Sequence, residues 1–354
     1  MITLRNYQNQ AIDRVVALES RGVMRSVLAM CTGSGKTATA AALIARRPGR
    51  ALFTAPFDEI VSQTVKAMQR AMPNRRVGIV KAELNQWNAE VVVASLQTLA
   101  RAGGKRLHYA PRDFSTIVVD ECHLQIDAYT RVLNELAQER TLVLGTSATP
   151  TRLDGRDLDE VFNEVAFEFS IVDGIEQGYL SEIEAYEFTL PNADFSKVRT
   201  RKGDLEIKEL ETVMQAANYA EHITAKWREY ATDRHTVVFV PKVAMAAHLA
   251  GYMREQGIRA EMMDGSMPKA QRAAILARYH SGETSVICNV MVLSIGWDSP
   301  VTDCLILARP TKSQALTIQM LGRALRIHPG KRNALILDMV SATRGDLFSV
   351  ASLA

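Results

Sequence analysis

Met30-Cys31-Thr32-Gly33-Ser34-Gly35-Lys36-Thr37, entered from the apolar run 26–30 and left through the apolar run 38–45, decides the fold. An apolar run of this length without polar alternation reads as a strand buried on both faces. The run after Thr37 reads as a helix. Glycines between the two let backbone N–H groups turn inward around phosphates, and the helix N-terminus adds partial positive charge. Thr32, Gly33, Ser34 and Gly35 therefore form the cradle of a phosphate loop. Lys36 is placed to reach the β- and γ-phosphates, and the Thr37 hydroxyl to ligate Mg²⁺. The strict G-x-x-x-x-G-K-[ST] pattern is not met, because Met30 stands where its first glycine belongs. The strand–loop–helix context carries the reading instead.

Outward from this loop, short apolar runs alternate with amphipathic ones. Residues 26–30, 51–55, 91–94, 117–120 and 142–145 read as buried parallel strands. Between them 58–71 reads as a helix, with Ile60, Val61, Val65 and Met68 on one face. The rhythm breaks from about 151 to 230, where Lys197-Val198-Arg199-Thr200-Arg201-Lys202-Gly203-Asp204 suggests a charged linker or surface hairpin. It then resumes with 236–240, 260–263, 285–288, 304–308 and 334–339, and a helix over 243–256. The pattern predicts an α/β chain with two doubly wound, mostly parallel sheets.

Ile117-Val118-Val119-Asp120-Glu121-Cys122-His123 is an apolar strand ending in two acids. Strands of this class deliver their last residues to the carboxyl edge of the sheet, where ligands bind. Asp120 is suited to hold Mg²⁺ through its water shell, and Glu121 to orient and polarise an attacking water. His123 is then placed to sense closure of the second domain.

The bulk numbers agree with a globular chain: 354 residues, 47% hydrophobic and 23% charged. A net charge of +3 permits a nucleic-acid partner without requiring one. The first residues lack the apolar core of a signal peptide, and the run 38–45 is far shorter than a membrane span. A cytoplasmic protein with no membrane partner is expected. Cys31, Cys122, Cys288 and Cys304 have no CxxC spacing, which argues against a zinc site or a disulfide framework.

The phosphate loop together with Asp120-Glu121-Cys122-His123 resembles the helicases and translocases of superfamily 2. The resemblance implies two tandem RecA-like domains with ATP between them. Leu4-Arg5-Asn6-Tyr7-Gln8 resembles the element that reads adenine, through Gln8. Thr54-Ala55-Pro56-Phe57 and Ser95-Leu96-Gln97-Thr98 resemble segments that touch a strand's phosphates, so Pro56, Phe57 and Gln97 are candidate contacts, with Lys242 in the second half. Ser147-Ala148-Thr149-Pro150 resembles the coupling element, which makes Ser147 and Thr149 coupling residues. Ile295-Gly296-Trp297-Asp298 resembles the segment near the ATP ribose, giving Gly296 and Asp298. Gln319-Met320-Leu321-Gly322-Arg323-Ala324-Leu325-Arg326 follows, with Gln319 a coupling residue. Arg323 and Arg326, three apart, are expected on one helix face, aimed together at the γ-phosphate.

Within the superfamily the likeness is to RadD-like bacterial DNA-repair ATPases, with XPB-like helicases and type I restriction motor subunits as cousins. It is carried by Asn289-Val290-Met291-Val292-Leu293, Ala308-Arg309-Pro310-Thr311-Lys312-Ser313, Gly330-Lys331, Gln177-Gly178-Tyr179-Leu180 and Ala193-Asp194-Phe195-Ser196. RadD-like proteins carry a C-terminal cysteine cluster that these 354 residues do not contain.

The resulting expectation is a monomeric, ATP- and Mg²⁺-dependent DNA helicase acting on single-stranded or forked nucleic acid. Its domains would be 1–184 and 185–354, the second opening with a charged linker or hairpin over about 185–230. A protein partner would supply specificity. The alternatives are a duplex translocase that does not unwind, an RNA helicase, and a non-catalytic ATP-binding scaffold.

Overall fold

The computed structural model describes residues 3–101, 105–148, 160–201, 204–290 and 299–340. The chain divides into two compact units, Met1–Ser170 and Ile171–Ala354.

In the first unit the strands are β1 (Arg25–Met30), β2 (Arg50–Ala55), β3 (Val77–Lys81), β4 (Leu84–Asn85), β5 (Val91–Ser95), β6 (Phe114–Asp120), β7 (Leu142–Ser147) and β8 (Glu164–Phe169). They form one sheet in the order β4-β3-β5-β2-β6-β7-β1-β8. Every pairing is parallel except the short β3–β4 turn-back. β5 and β7 are buried along their whole length, as continuous apolar runs require when helices cover both faces. Leu52, Val92, Ile117, Val119 and Val143 share one core cluster with Tyr129, Val132, Leu133 and Leu136 of the helix Ile126–Leu136. Alternation sends Phe53, Val93 and Val118 to the other face. The helix Asp58–Ala71 buries Ile60, Val61, Val65 and Met68, the stripe predicted from the sequence.

One close approach in this core is specific enough to test. A Cβ at Gly145 on β7 would lie 2.8 Å from Cys122 Sγ and 2.8 Å from the Phe162 ring. Both neighbours are buried, so neither can swing into solvent. Gly145→Ala is expected to lower stability by about 1–3 kcal/mol, the cost of overpacking. A chemical denaturation midpoint equal to that of the wild type would contradict this packing.

The second unit contains β9 (Ile183–Glu187), β10 (Thr200–Arg201), β11 (Asp204–Leu205), β12 (Thr236–Phe239), β13 (Ala260–Met263), β14 (Val286–Asn289), β15 (Cys304–Leu307) and β16 (Ala334–Asp338). Six of these make a parallel sheet in the order β13-β14-β12-β15-β16-β9. β10 and β11 pair antiparallel as a separate hairpin.

The stretch 185–230 is therefore only in small part a charged hairpin. The helices Ile207–Ala216 and Tyr219–Tyr230 fill much of it. They send Met214, Tyr219, Ile223 and Trp227 into a core shared with Val238, Val286, Ile306 and Leu337. Trp227 Nε1 donates to Thr236 Oγ1 at 2.9 Å, which ties this layer to β12. Exposed charges on the outer faces of these helices mask their apolar period in the sequence. Among the described residues no helix is long and apolar enough to cross a membrane.

Candidate nucleotide site

β1 delivers the chain to a loop that is held from several sides. Cys31 N donates to Phe169 O at 2.9 Å, so β8 forms one wall. Gly33 and Gly35 have φ of 89° and 85°, a region that side chains rarely enter. A Cβ at Gly35 would also lie 2.6 Å from Gln8 Nε2. The Ser34 carbonyl accepts from Tyr7 Oη at 2.6 Å and from Gln8 Nε2 at 2.9 Å. The Ser34 hydroxyl donates to Cys31 O at 2.6 Å. Tyr7 in turn stacks on Phe169, with ring centroids 3.9 Å apart and planes at 10°. Gln8 Oε1 accepts from Arg5 N at 2.9 Å, so both ends of the amide expected to read adenine are engaged within the unit.

The helix Lys36–Arg46 starts directly after Gly35. Buried Lys36 donates to Met30 O at 3.3 Å and stands 3.4 Å from Glu121 Oε1. Thr32 Oγ1 is buried in the loop with no hydrogen-bond partner among the described residues, a polar atom that suits a cradle for an oxyanion.

β6 lies between β2 and β7 and brings the acids to the same edge. Parallel register sets Thr146 opposite Asp120, and its hydroxyl donates to Asp120 Oδ1 at 2.7 Å. Burial pushes the Asp120 carboxyl up to about 6, helped by the Glu121 charge and opposed by the Thr146 bond and Lys36. Glu121 adopts φ 49°, a left-handed backbone conformation that costs a non-glycine residue energy and recurs at functional sites. Cys122 N reaches across to Thr146 O at 2.9 Å, and His123 Nδ1 bonds Ser147 Oγ at 2.9 Å. Glu121 Oε2 lies 3.5 Å from His123 Nδ1. The acid turn and the end of β7 are thus linked at three points.

Farther along the same edge, Pro56 follows β2 and Gln97 follows β5. Pro56 O accepts from Gln125 Nε2 at 3.3 Å. Half-buried Phe57 caps the helix Asp58–Ala71, and Gln97 is exposed on the helical turn Leu96–Leu99.

In the second unit, buried Gln319 lies on the helix Gln314–Leu321. That helix ends at Leu321 with Gly322 as its cap, so Arg323 and Arg326 do not share a helix face. Arg323 is buried in the turn that follows, and Arg326 is in an extended bridge to Leu180. Pairing of the residue-326 backbone with Leu180 overrides continuation of the helix. Lys242 Nζ pairs with Glu211 Oε2 at 2.5 Å, which engages the charge expected to meet a phosphate. Thr149, Gly296 and Asp298 lie outside the described residues.

Two family matches bracket this geometry. Residues 1–152 match the family described as "Type III restriction enzyme, res subunit", and residues 214–328 match "Helicase conserved C-terminal domain". The chain is 29% identical over 371 aligned positions to the Saccharomyces cerevisiae protein named as ATP-dependent helicase IRC3, covering 99% of this chain and 53% of that one. A Schizosaccharomyces pombe protein, named as a mitochondrial ATP-dependent helicase, is 30% identical over 97% of this chain and 58% of its own length. The fragment structure of an HsdR subunit of a type I restriction enzyme from Vibrio vulnificus shares the fold. Its TM-score is 0.75 at 23% identity, over 97% of this chain and 65% of that one. In both of its halves the chain is thus similar to helicase and restriction-enzyme proteins, and it shares their fold.

The chain spans little more than half the length of the two yeast relatives. Residue-level reading of its sequence missed Thr146, Tyr7 and Phe169. Thr146 gives no local signal, because only the β6–β7 register brings it beside Asp120. Tyr7 lies within the Leu4–Gln8 element, but its role as a strut under Ser34 depends on β8, which has no clear strand pattern in the sequence.

Proposed function

We propose that this chain hydrolyses ATP with Mg²⁺ and uses the cycle to move along, or separate, DNA strands. The observation that carries the reading is the meeting of Lys36, Asp120 and Glu121 beside a loop whose two glycines open it to phosphates. Lys36 neutralises phosphate charge, and Glu121 orients the attacking water. Thr37 and Asp120 offer the hard oxygen donors that Mg²⁺ takes, and the ion would supply charge neutralisation at the β- and γ-oxygens. Arg323 and Arg326 stabilise the transferring phosphoryl group. The His123–Ser147 bond passes the state of the acid turn to the end of β7.

Pro56, Phe57 and Gln97 are the candidate strand contacts. Aromatic residues make up 6% of the chain, which leaves little material for base stacking, so the grip falls on backbone phosphates. Likeness to restriction-enzyme subunits favours DNA.

An ATPase assay across single-stranded, duplex and forked DNA and matched RNA tests the reading. DNA is expected to stimulate turnover with little sequence preference and with steep loss on added salt. Stimulation by RNA far above any DNA would overturn the DNA assignment, and no stimulation by any nucleic acid would overturn the motor.

A further inference from the structure

The segment that carries Arg323 and Arg326 is fastened at its backbone. Lys331 Nζ donates to Arg326 O at 2.7 Å, to Thr302 O at 2.9 Å and to Ala324 O. An ammonium has three N–H donors, and all three are used. Two of the acceptors lie within the arginine segment, and the third lies just before β15. From the other side, Ser181 N donates to Leu325 O at 2.7 Å, Ser181 Oγ donates to Arg326 O at 3.3 Å, and Leu180 pairs antiparallel with Arg326. Leu180 is itself seated against Gly174, where a Cβ would come within 2.6 Å of its Cδ1.

We propose that Lys331 is a positioning residue for ATP hydrolysis: by cross-linking Ala324, Arg326 and Thr302 it sets where the Arg326 guanidinium stands. The proposal rests on the reading of Arg326 as a group that acts on ATP. Lys331 is half-buried, and an ammonium drawn that far from water is costly unless well bonded, so a lysine that only filled space here would be better replaced by an apolar chain. Loss of the charge removes one of three donors and loosens the segment. A displacement of about 1 Å at a catalytic group is enough to cost on the order of 10²-fold in rate.

The same burial makes the lysine sensitive to pH. Desolvation holds Lys331 down at about 8. Asp303, before β15, opposes the shift, while Arg234, before β12, and Arg326 add to it. Activity should therefore fall as pH rises through about 8. Stability moves in the opposite sense: a lysine held below its unfolded value penalises the folded state while charged, and that penalty is relieved as pH climbs past 8. Alkaline loss of activity through this group is thus not denaturation.

The test is nucleic-acid-stimulated ATPase of the full chain as wild type, Lys331→Met, Arg326→Ala and the double variant. Lys331→Met is expected to lower kcat by about 10- to 100-fold with the KM for ATP near the wild-type value. Lys331→Arg, which keeps the charge, should recover part of the loss. In the Arg326→Ala background Lys331→Met should have no further effect. Equal slowing in both backgrounds would reduce Lys331 to a structural residue and overturn the proposal. Should Lys331→Met not fold, the residual activity of Arg326→Ala decides: its alkaline limb should be absent, and a limb unchanged from wild type overturns the proposal. Wild-type turnover by Arg326→Ala would instead show that the reading of Arg326 is wrong, and the positioning role would fall with it.

Discussion

Lys36→Ala is expected to reduce ATP turnover by about 10³-fold or more, to the background of the assay. The ammonium is the cation that the phosphate loop aims inward, bonded to Met30 O and 3.4 Å from Glu121. On the proposed reading its removal leaves phosphate charge uncompensated, and it takes from Glu121 one of its charged neighbours. The KM for ATP should rise as well, because a lysine in this role meets the phosphates in the ground state too. The loop should keep its shape, since the bonds that set it run through Ser34, Tyr7, Gln8 and Cys31. Circular dichroism and thermal unfolding close to wild type would establish that. A folded Lys36→Ala protein with unchanged turnover would place the nucleotide elsewhere.

Arg326→Ala is expected to slow hydrolysis by about 10³-fold or more while changing the KM for ATP much less, the behaviour of an arginine that acts on developing charge. The main chain of residue 326 is held by Leu180, Ser181 and Lys331. Truncating the side chain leaves these contacts in place, so a kinetic loss can be assigned to the guanidinium. Single-turnover and steady-state assays together check this. Loss of ATP binding in proportion to loss of turnover would indicate a ground-state contact instead.

What could be read from the sequence depended on distance along the chain. The central strands were legible because burial on both faces demands unbroken apolar runs, as in β5 and β7. The loop 31–37 and the acids at 120–121 were legible because each is a local string at a strand end. The outer strands β8 and β9 were not. As edge strands they each carry two glutamates and are only partly buried, so they look like solvated chain.

Partnerships set by topology were hidden for the same reason. Thr146 meets Asp120 only because β6 and β7 pair in that register. Glu211 meets Lys242 from a helix that the sequence reading had assigned to a linker. The end of the helix at Leu321 was hidden too, because Leu180, from the start of the unit, competes for the backbone at Arg326.

The fastening of Ser34 bears on the thermodynamics of nucleotide capture. A loop that closes around a phosphate only on contact must lose backbone freedom at that moment, and affinity falls accordingly. Here a tyrosine hydroxyl, an amide and a serine hydroxyl already hold the turn, and a stacked pair of rings braces the tyrosine. Its ordering is completed when the first unit folds. On the proposed reading ATP meets a turn that is already held, so the cost of ordering that turn is not subtracted from its binding free energy, and the conformational work of the cycle is left to the rest of the molecule.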